Sequence, residues 1–319
     1  MPEDQRIAVT FASDNVLAMP LGVAIASVLS TRDADTPVDV HVLSCGISEG
    51  NRTRIASQFD GRADRLVWHE IQGEDMQLLQ DLFTSSNRPY PPAAYARLLI
   101  GRMLTEVDRA IYLDTDIIVT RDLQELWNLP FDGNVLLAVH DLPSDSNQVE
   151  RLQNSLGQDD VVRYGIDTAV PYFQSGVLVF DLAALRKSGV DELIDCLRKY
   201  PDLTFPDQDA LNIVYRSRFR LIDPRWNQMA AVYWDGAAES SPYDRDLFEA
   251  LVSDPYIIHF SGRPKPWEDG CTHALAHRWN EARDVSAWRG WKDTPLRRLS
   301  NKAQRVRRVL SKKLRRLLP

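Results

Sequence analysis

Short apolar runs rich in β-branched residues alternate with helical segments along the first 120 residues, and this alternation constrains the fold most. Residues 7–11, 38–43 and 66–71 have the composition of buried strands. Residues 21–29 and 48–59, which lie between them, have the pattern of helices. Strands that alternate with helices form a mainly parallel sheet, which binds ligands at the carboxyl ends of its strands. The sequence therefore predicts an α/β fold of this type.

The same pattern continues through the rest of the chain, with two polar interruptions. The further predicted strands cover residues 109–113, 117–119 and 172–181, and the further predicted helices cover residues 95–104, 190–200 and 205–215. Residues 143–160 and 226–255 are predicted to be loops. In domains of this class such loops are either substrate-binding elaborations or simple surface insertions.

The chain has an acidic body and a strongly basic segment at its end. Residues 296–319 contain ten basic and no acidic residues, whereas the other 295 residues contain 28 basic and 45 acidic ones, a charge near −17. An acidic body argues against general coating of nucleic acid, so no nucleic-acid partner is expected. We divide the chain into a domain of residues 1–285 and a basic C-terminal tail of residues 286–319.

Apolar residues in the tail recur every three or four positions, with arginine and lysine on the other face. They are Leu299, Ala303, Val306, Leu310, Leu314 and Leu317. This pattern predicts an amphipathic helix that associates with an anionic membrane surface. A solvated tail without regular structure and a nucleic-acid-binding tail are the alternatives.

No signal peptide or membrane-spanning helix is expected. The chain starts with acidic residues where a signal peptide is basic, and its most apolar early stretch, residues 16–29, is short and contains Pro20. Cys45, Cys196 and Cys271 have no metal-ligand spacing and cannot all pair, which favours a reducing compartment. We therefore expect a cytoplasmic protein that is peripheral on the inner face of the cytoplasmic membrane.

Two carboxylates, Asp114 and Asp116, interrupt the apolar run RAIYLDTDIIV. The flanking residues indicate a buried strand, and the burial of an unpaired carboxylate is unfavourable. Either ion pairs, for instance with Arg97 or Arg109, or a bound cation must therefore lie beside the two side chains. Oxygen ligands at this spacing suit Mg²⁺ or Mn²⁺, which bridge protein carboxylates to phosphate oxygens, so a diphosphate ligand is expected.

His259 follows another short apolar run and precedes Gly262 and Lys265 in the segment HFSGRPKPW. A single histidine after a strand is often only a structural hydrogen-bonding group. Here the glycine allows close approach to the backbone and the lysine supplies a charge for phosphate, which favours an anion site. The addition of a histidine to two aspartates also favours Mn²⁺ over Ca²⁺.

Seven blocks of the chain together resemble family eight of the retaining glycosyltransferases, in particular the bacterial lipopolysaccharide galactosyltransferases. In the order of the family they span residues 7–267 and are VTFASDN, HVLSCGIS, YARLLIG, AIYLDTDIIV, YFQSGVLVFDL, FPDQDALN and HFSGRPKPW. The resemblance implies a nucleotide-sugar-binding domain of the GT-A type with UDP-galactose or UDP-glucose as donor. It also implies a saccharide acceptor, on lipopolysaccharide or another lipid-linked surface glycan.

The resemblance further implies functions for individual residues. The metal ligands, for Mn²⁺ or alternatively Mg²⁺, are Asp114, Asp116 and His259. The positions that bind the nucleotide sugar are Ala12, Asp14 and Asn15 at the base, Gly262 and Lys265 at the diphosphate, and Arg97, Asp114, Thr115, Gln174 and Ser175 around the rest of the donor. The catalytic positions are Asp207, Gln208 and Asp209. These acids also suit the start of a helix, where they complement the dipole, and both functions are compatible.

The sequence departs from the family pattern at two places in the donor site. Val16 and Leu17 stand where the family often has asparagine and tyrosine, and Gln174 stands where it usually has asparagine. The identity of the donor hexose is therefore left open.

The expected reaction requires neutralisation of a departing diphosphate and stabilisation of an oxocarbenium-like centre, which a metal, Lys265 and nearby carboxylates supply. The neutral amide of Gln208 is a poor nucleophile, which favours front-face displacement with retention over double displacement. Two other classes remain open: a metal-dependent sugar nucleotidyltransferase, and a non-catalytic module that binds saccharide or membrane.

Overall fold

The computed structural model describes residues 6–86, 90–142, 147–188 and 191–295. The strands in these residues are β1 (Ile7–Asp14), β2 (Val38–Cys45), β3 (Arg65–Glu70), β4 (Arg109–Leu113), β5 (Ile117–Val119), β6 (Leu136–His140), β7 (Phe173–Asp181), β8 (Phe219–Leu221), β9 (Gln228–Met229) and β10 (Ile257–His259). The helices are α1 (Ala18–Thr31), α2 (Glu49–Ala56), α3 (Gly73–Ser85), α4 (Pro92–Tyr95), α5 (Ile100–Met103), α6 (Gln124–Trp127), α7 (Gln148–Ser155), α8 (Gln158–Arg163), α9 (Leu182–Ser188), α10 (Asp191–Lys199), α11 (Pro206–Val214), α12 (Ala237–Ser240), α13 (Arg245–Ser253) and α14 (Ala276–Val285).

The larger sheet has the strand order β3-β2-β1-β4-β7-β6-β8. Its neighbouring strands run parallel, except that β7 is antiparallel to both β4 and β6. The predicted α/β fold with a central, mainly parallel sheet is thus confirmed. A smaller sheet with the order β5-β10-β9 begins where β4 ends, because only three residues separate β4 from β5.

The reversed direction of β7 brings its first residues to the carboxyl ends of the parallel strands. Leu113 at the end of β4 pairs with Val177, and the N–H of Asp114 donates to the carbonyl of Gly176 at 2.8 Å. The pairing of Thr10 with the residue two positions before Asp114 places the end of β1 at the same edge. One edge of the sheet therefore gathers polar residues from strands that are distant in the sequence.

Side chains of β4 alternate between two hydrophobic clusters, one on each face of the sheet. Tyr112 and Leu178 belong to the first cluster, whereas Leu113 and Val177 belong to the second. Because both faces are covered, β4 is apolar at nearly every position, as expected for a buried parallel strand. The acidic residues appear where the chain leaves this core.

Several segments differ from the predicted secondary structure. The single helix predicted at residues 95–104 is wrong, since α4 and α5 are separated there by the 3-10 turn Ala96–Leu99. The predicted loops at 143–160 and 226–255 contain α7, the start of α8, β9, α12 and α13. The strands β6 and β8 and the helices α3, α6 and α9 were not predicted from the sequence. The helices in the predicted loops were missed because they bury few apolar side chains: α7 buries Leu152 and α13 buries Leu251.

The chain after α14 packs against the domain. Trp288 is 4% exposed, and a Cβ at Gly22 of α1 would lie 2.0 Å from its ring, so this contact requires glycine at position 22. The ring of Trp291 lies edge-on to that of Trp279 on α14, at 6.4 Å between centroids. The packed body thus continues past residue 285 to Trp291, and the basic residues 296–319 of the predicted tail lie outside the described residues.

Cys45, Cys196 and Cys271 are all free thiols. Burial raises the pKa of Cys45 and of Cys196 to about 12, so both stay protonated at neutral pH. Among the described residues, no helix is sufficiently long and apolar to span a membrane.

The stability of the fold is expected to fall in mild acid because of a histidine pair on β2 and β3. His41 Nδ1 lies 2.9 Å from His69 Nε2, and burial, together with the neighbouring ring, lowers the pKa of His41 to about 4, although Asp39 opposes the shift. A histidine with a lowered folded-state pKa stabilises the fold above its unfolded pKa of about 6.5, and this contribution is lost as the pH falls towards 4. We expect a loss of about 2 kcal/mol from His41 by pH 5, measured by urea unfolding.

The matched variant for this prediction is His41→Gln, which is neutral at every pH. Its free energy of unfolding should depend less steeply on pH between 6.5 and 4.5 than that of the unmodified protein. Equal slopes for the two proteins would contradict the assignment to this pair.

Candidate functional site

The two aspartates that interrupt the apolar run lie at the carboxyl edge of the larger sheet. Asp114 follows β4 and Asp116 precedes β5, while His259 ends β10, which pairs with β5 in antiparallel register so that His259 is opposite Ile117. A carboxylate oxygen of each aspartate and a ring nitrogen of His259 lie within 4.8 Å of one another. The structure therefore brings together all three residues predicted as metal ligands.

Arg97 connects Asp114 to the donor-sugar positions of the predicted site. Its guanidinium donates to Asp114 Oδ1 at 2.7 Å and to the carbonyl and Oγ of Ser175 at 2.8 and 3.1 Å. Its Nε lies 3.0 Å from Asp207 Oδ2. Burial alone would lower the pKa of Arg97, but the charges of the carboxylates outweigh burial and raise it, so the guanidinium stays charged.

The ion-pair explanation for the acidic pair is thus confirmed in part. Arg97 pairs with Asp114, whereas Arg109 is directed elsewhere, with its guanidinium stacked on Phe131 at 4.3 Å. Tyr112 also donates to Asp114 Oδ1, at 3.0 Å. Since both contacts use Oδ1, Asp114 can form the ion pair with Arg97 and still present Oδ2 to a cation.

Asp116 lies between a lysine and a histidine. Its Oδ2 accepts from Lys265 Nζ at 2.6 Å, and its Oδ1 lies 3.3 Å from His259 Nε2. Burial would raise the pKa of Asp116, but the charge of Lys265 and the ring of His259 hold that pKa well below its usual range. Asp116 is therefore an anion at neutral pH.

The other ring nitrogen of His259 contacts a buried amide. His259 Nδ1 lies 2.9 Å from Asn227 Oδ1, and Asn227 Nδ2 donates to Gln174 Oε1 at 2.6 Å. Gly176 lies close to this chain of contacts, because a Cβ there would be 2.4 Å from Cε1 of His259. The histidine is thus enclosed on the side away from Asp116.

Gln208, in the first turn of α11, is held by both ends of its amide. Its Oε1 accepts from the N–H of Ser175 at 2.9 Å and from the Ser175 hydroxyl at 3.2 Å, and its Nε2 donates to Asp141 Oδ2 at 3.3 Å. Burial raises the pKa of Asp141 to about 7, partly offset by His259 and by the hydrogen bond from Gln208. A carboxyl group with this pKa can accept or donate a proton near neutral pH.

The two acidic neighbours of Gln208 have different surroundings. Asp207 is paired with Arg97, and burial raises its pKa against the effect of that charge. Asp209 is 0% exposed and accepts from both terminal nitrogens of Arg151, at 2.7 and 2.8 Å, and from the hydroxyl of Tyr172 at 2.5 Å. These contacts point to a structural function for Asp209 in holding the start of α11, while Asp207 lies at the site.

The residues predicted to contact the base lie at the end of β1 and in the loop that follows it. Asp14 caps the following 3-10 turn by accepting from the N–H groups of Val16 and Leu17, at 2.9 and 3.2 Å. Asn15 Oδ1 accepts from the N–H of Ser48 at 2.9 Å, which ties this loop to the residue before α2. Val16 is 51% exposed and therefore presents an apolar surface where the family often has asparagine.

The remaining predicted positions differ in their exposure and contacts. Ala12 and Thr115 are buried, at 8% and 7% exposure, and Gly262 is exposed, where a Cβ would come no closer than 3.9 Å, to Ala230. Lys265 Nζ also donates to the carbonyl of Phe260 at 2.5 Å, which fixes the lysine beside Asp116.

Three residues of the site were not predicted from the sequence: Asp141, Gly176 and Asn227. Asp141 directly follows β6, and the apolar run VLLAVH before it carries the same signal that revealed Asp114. Gly176 lies within the quoted block YFQSGVLVFDL, where its glycine could have marked a close approach. Asn227 lies in a segment predicted as a loop, and no local pattern distinguishes it.

Comparison with known proteins relates this site to a large family. A family model described as glycosyl transferase family 8 matches residues 8–271. General stress protein A of Bacillus subtilis strain 168 is 26% identical over 294 residues, which cover 90% of this chain and 96% of that protein. A lipopolysaccharide 1,2-glucosyltransferase of Escherichia coli strain K12 is 24% identical over 277 residues, which cover 84% of this chain and 75% of that protein.

Solved structures show the same fold. A crystal structure of the galactosyltransferase LgtC, in complex with donor and acceptor sugar analogues, superposes with a TM-score of 0.71 at 26% identity, over 88% of this chain and 96% of that chain. The apo structure of the bifunctional glycosyltransferase WbbM superposes with a TM-score of 0.70 at 22% identity, over 91% of this chain and 51% of that one. Together with the family model, which spans most of the sequence, these similarities show that the chain belongs to glycosyl transferase family 8.

Proposed function

We propose that this glycosyltransferase transfers a hexose, galactose or glucose, from a UDP-sugar to a saccharide acceptor with retention of configuration, and that it depends on Mn²⁺. The observation that carries the proposal is the cluster of Asp114, Asp116 and His259 next to Lys265, at the edge of the sheet where ligands of such folds bind. The contacts of Arg97 and Gln208 with Ser175 support the same proposal, because they join the cluster to the predicted donor-sugar positions.

The donor set of this cluster fits the proposed metal. Two carboxylates and one imidazole suit Mn²⁺, with Mg²⁺ as the alternative. The carboxylates of Asp114, Asp116 and Asp207 exceed the positive charges of Arg97 and Lys265 by one, so a divalent cation would give the site a net positive charge. When bound, the ion would supply electrostatic stabilisation of the diphosphate leaving group.

The residues of the chain have separate functions in this proposal. Arg97 holds Asp114 and Asp207 in place, and Ser175 and Gln208 form one wall of the sugar pocket. Lys265 supplies a positive charge, and its ammonium group can exchange its contact with Asp116 for one with a phosphate oxygen of the donor. The leaving phosphate oxygen then accepts the proton of the acceptor hydroxyl, on the same face of the sugar.

A screen for UDP release tests the proposal most directly. UDP-galactose, UDP-glucose and other UDP-sugars are supplied with Mn²⁺, Mg²⁺ or Ca²⁺ and a panel of short saccharide acceptors, and metal-stripped protein is the control. We expect turnover with a UDP-hexose that Mn²⁺ supports better than Ca²⁺ does. Full activity of the metal-stripped protein would contradict the proposed metal, and formation of a nucleotide sugar from a sugar phosphate would indicate the nucleotidyltransferase class.

Replacement of Gln208 by alanine is expected to lower kcat by about 10²-fold, as for loss of one well-placed polar group. Loss of a covalent nucleophile costs far more, about 10⁶-fold. The amide is bound by Ser175 and by Asp141, so it can position groups in the pocket. The rate is measured by UDP release, and the α-anomeric product by its NMR coupling constant. A glycosyl adduct trapped on Gln208, or an inverted product, would overturn this mechanism.

We propose an acceptor glycan that is part of lipopolysaccharide or another lipid-linked surface glycan, because relatives named as lipopolysaccharide glucosyltransferases match most of the chain. The basic residues 296–319 support an association of the protein with the inner face of the cytoplasmic membrane. In this arrangement the enzyme meets its acceptor on the membrane surface.

Deletion of residues 296–319 is expected to release the protein from anionic vesicles and to leave transfer to a short soluble acceptor intact. All the site residues lie between Ala12 and Lys265, whereas the ten basic residues lie beyond them. Vesicle co-sedimentation at rising salt measures the effect, because charge attraction is screened within about 10 Å at 0.1 M. A full-length protein that ignores anionic vesicles at low salt, or a folded truncated protein that is inactive on the soluble acceptor, would contradict the prediction.

A further inference from the structure

We propose that Asn227 is a positioning residue for the metal: its side-chain oxygen accepts the Nδ1–H of His259 and so leaves Nε2 as the ligand atom. This inference rests on the proposed metal site. It concerns a residue that touches neither the donor nor the metal, and whose side chain acts through His259.

The orientation of the Asn227 amide follows from its second partner. Asn227 is 1% exposed, and its Nδ2 lies 2.6 Å from Gln174 Oε1. That oxygen also accepts the N–H of Gly176. Because a carbonyl oxygen only accepts, Asn227 must direct its NH₂ group towards Gln174, and its own oxygen faces His259.

The orientation of the Asn227 amide determines which tautomer of His259 faces the cation site. With an acceptor 2.9 Å from Nδ1, the ring keeps a proton on that nitrogen, and Nε2, which lies 3.3 Å from Asp116 Oδ1, presents its lone pair to the ion. Gly176 leaves room for the ring in this position, since a Cβ there would collide with Cε1. Partners of this kind usually change metal affinity 10- to 100-fold when they are removed.

The test compares Mn²⁺ affinity, measured by electron paramagnetic resonance of free Mn²⁺ without any sugar nucleotide, in the full-length protein and three variants. Asn227→Leu removes the acceptor and is expected to weaken Mn²⁺ binding 10- to 100-fold. Asn227→Asp keeps an oxygen opposite Nδ1 and is expected to bind within about threefold of the unmodified protein. Gln228→Leu is the matched control, because it removes a neighbouring buried amide that contacts Leu251 and Tyr233 instead of His259.

A second measurement reports the ring itself. In protein labelled with ¹⁵N-histidine and saturated with diamagnetic Mg²⁺, we expect His259 to show a protonated Nδ1 and an unprotonated Nε2, with the signal identified by its loss in His259→Gln. Asn227→Leu should lose this signature and Asn227→Asp should keep it.

The outcomes separate this inference from the proposed function. If the unmodified protein binds no Mn²⁺, the proposed metal site is wrong, and this inference falls with it. If it binds Mn²⁺ and folded Asn227→Leu binds equally well, or if Gln228→Leu weakens binding as much as Asn227→Leu does, only the positioning function of Asn227 is overturned.

Discussion

Replacement of Asp116 by asparagine is expected to lower UDP-sugar turnover by about 10³-fold or more. Asp116 is the carboxylate that both His259 and Lys265 contact, so its loss removes a charged metal ligand and the partner of the lysine at once. Stabilisation of a leaving group by a metal amounts to several kcal/mol, which corresponds to this change in rate. The measurement is UDP release at saturating Mn²⁺, with folding checked by circular dichroism.

Asp246→Asn is the matched control for this prediction. Asp246 is exposed in the first turn of α13 and is not part of the cluster of Asp114, Asp116 and His259, so the same isosteric loss of charge should leave the rate unchanged. If Asp116→Asn kept the unmodified rate with Mn²⁺, the metal assignment would be wrong.

Replacement of Gly176 by alanine is expected to reduce both Mn²⁺ affinity and turnover, the latter by about 10²-fold, the usual cost of a small misplacement of a reacting group. The new Cβ would lie 2.4 Å from His259 Cε1 and 2.9 Å from Gln174 Oε1, which no real contact allows. The ring must therefore leave its present position, which changes its geometry with respect to Asp116. The crowding should also lower the free energy of unfolding by about 1–3 kcal/mol.

Gly157→Ala tests whether any glycine substitution has this effect. Gly157 has φ −70°, which alanine adopts readily, and a Cβ there would have the hydroxyl of Tyr200 as its nearest atom, at 4.0 Å. We expect unchanged turnover and Mn²⁺ affinity. Normal Mn²⁺ binding by Gly176→Ala would show that the structure near His259 adapts, and would refute the requirement for glycine.

Site residues can be predicted from the sequence where a polar or charged side chain stands within an apolar segment. Asp114 and Asp116 could be found because two charges in an apolar run require compensation, and His259 because it ends a buried strand before a basic segment. Asp209 shows the limit of this reasoning. Its position in a polar helix start matches a catalytic motif, and only the fold reveals that Arg151 and Tyr172 occupy its oxygens.

The fold was predictable where strands and helices are long and apolar, and less so where pairing is between distant segments. The parallel order of β1, β2 and β3 follows from their short helical connections. The antiparallel insertion of β7 between β4 and β6 has no local signal, although it brings Ser175 and Gly176 to the acidic pair. Asn227 was missed for the same reason, since its function depends on a histidine 32 residues away.

In the proposed membrane association, the packing of Trp288 and Trp291 would limit how far the domain stands from a bilayer that the start of the basic segment contacts. Only residues 292–295 separate Trp291 from the basic segment that starts at residue 296, and a chain of this length reaches at most about 18 Å when fully extended. A tether this short, attached beside α1 and α14, would leave the catalytic domain little freedom to tumble above a bilayer. The enzyme would therefore select acceptors by the distance of their terminal sugar from the bilayer surface. The terminal sugar of a long glycan would lie too far from the bilayer to enter the site.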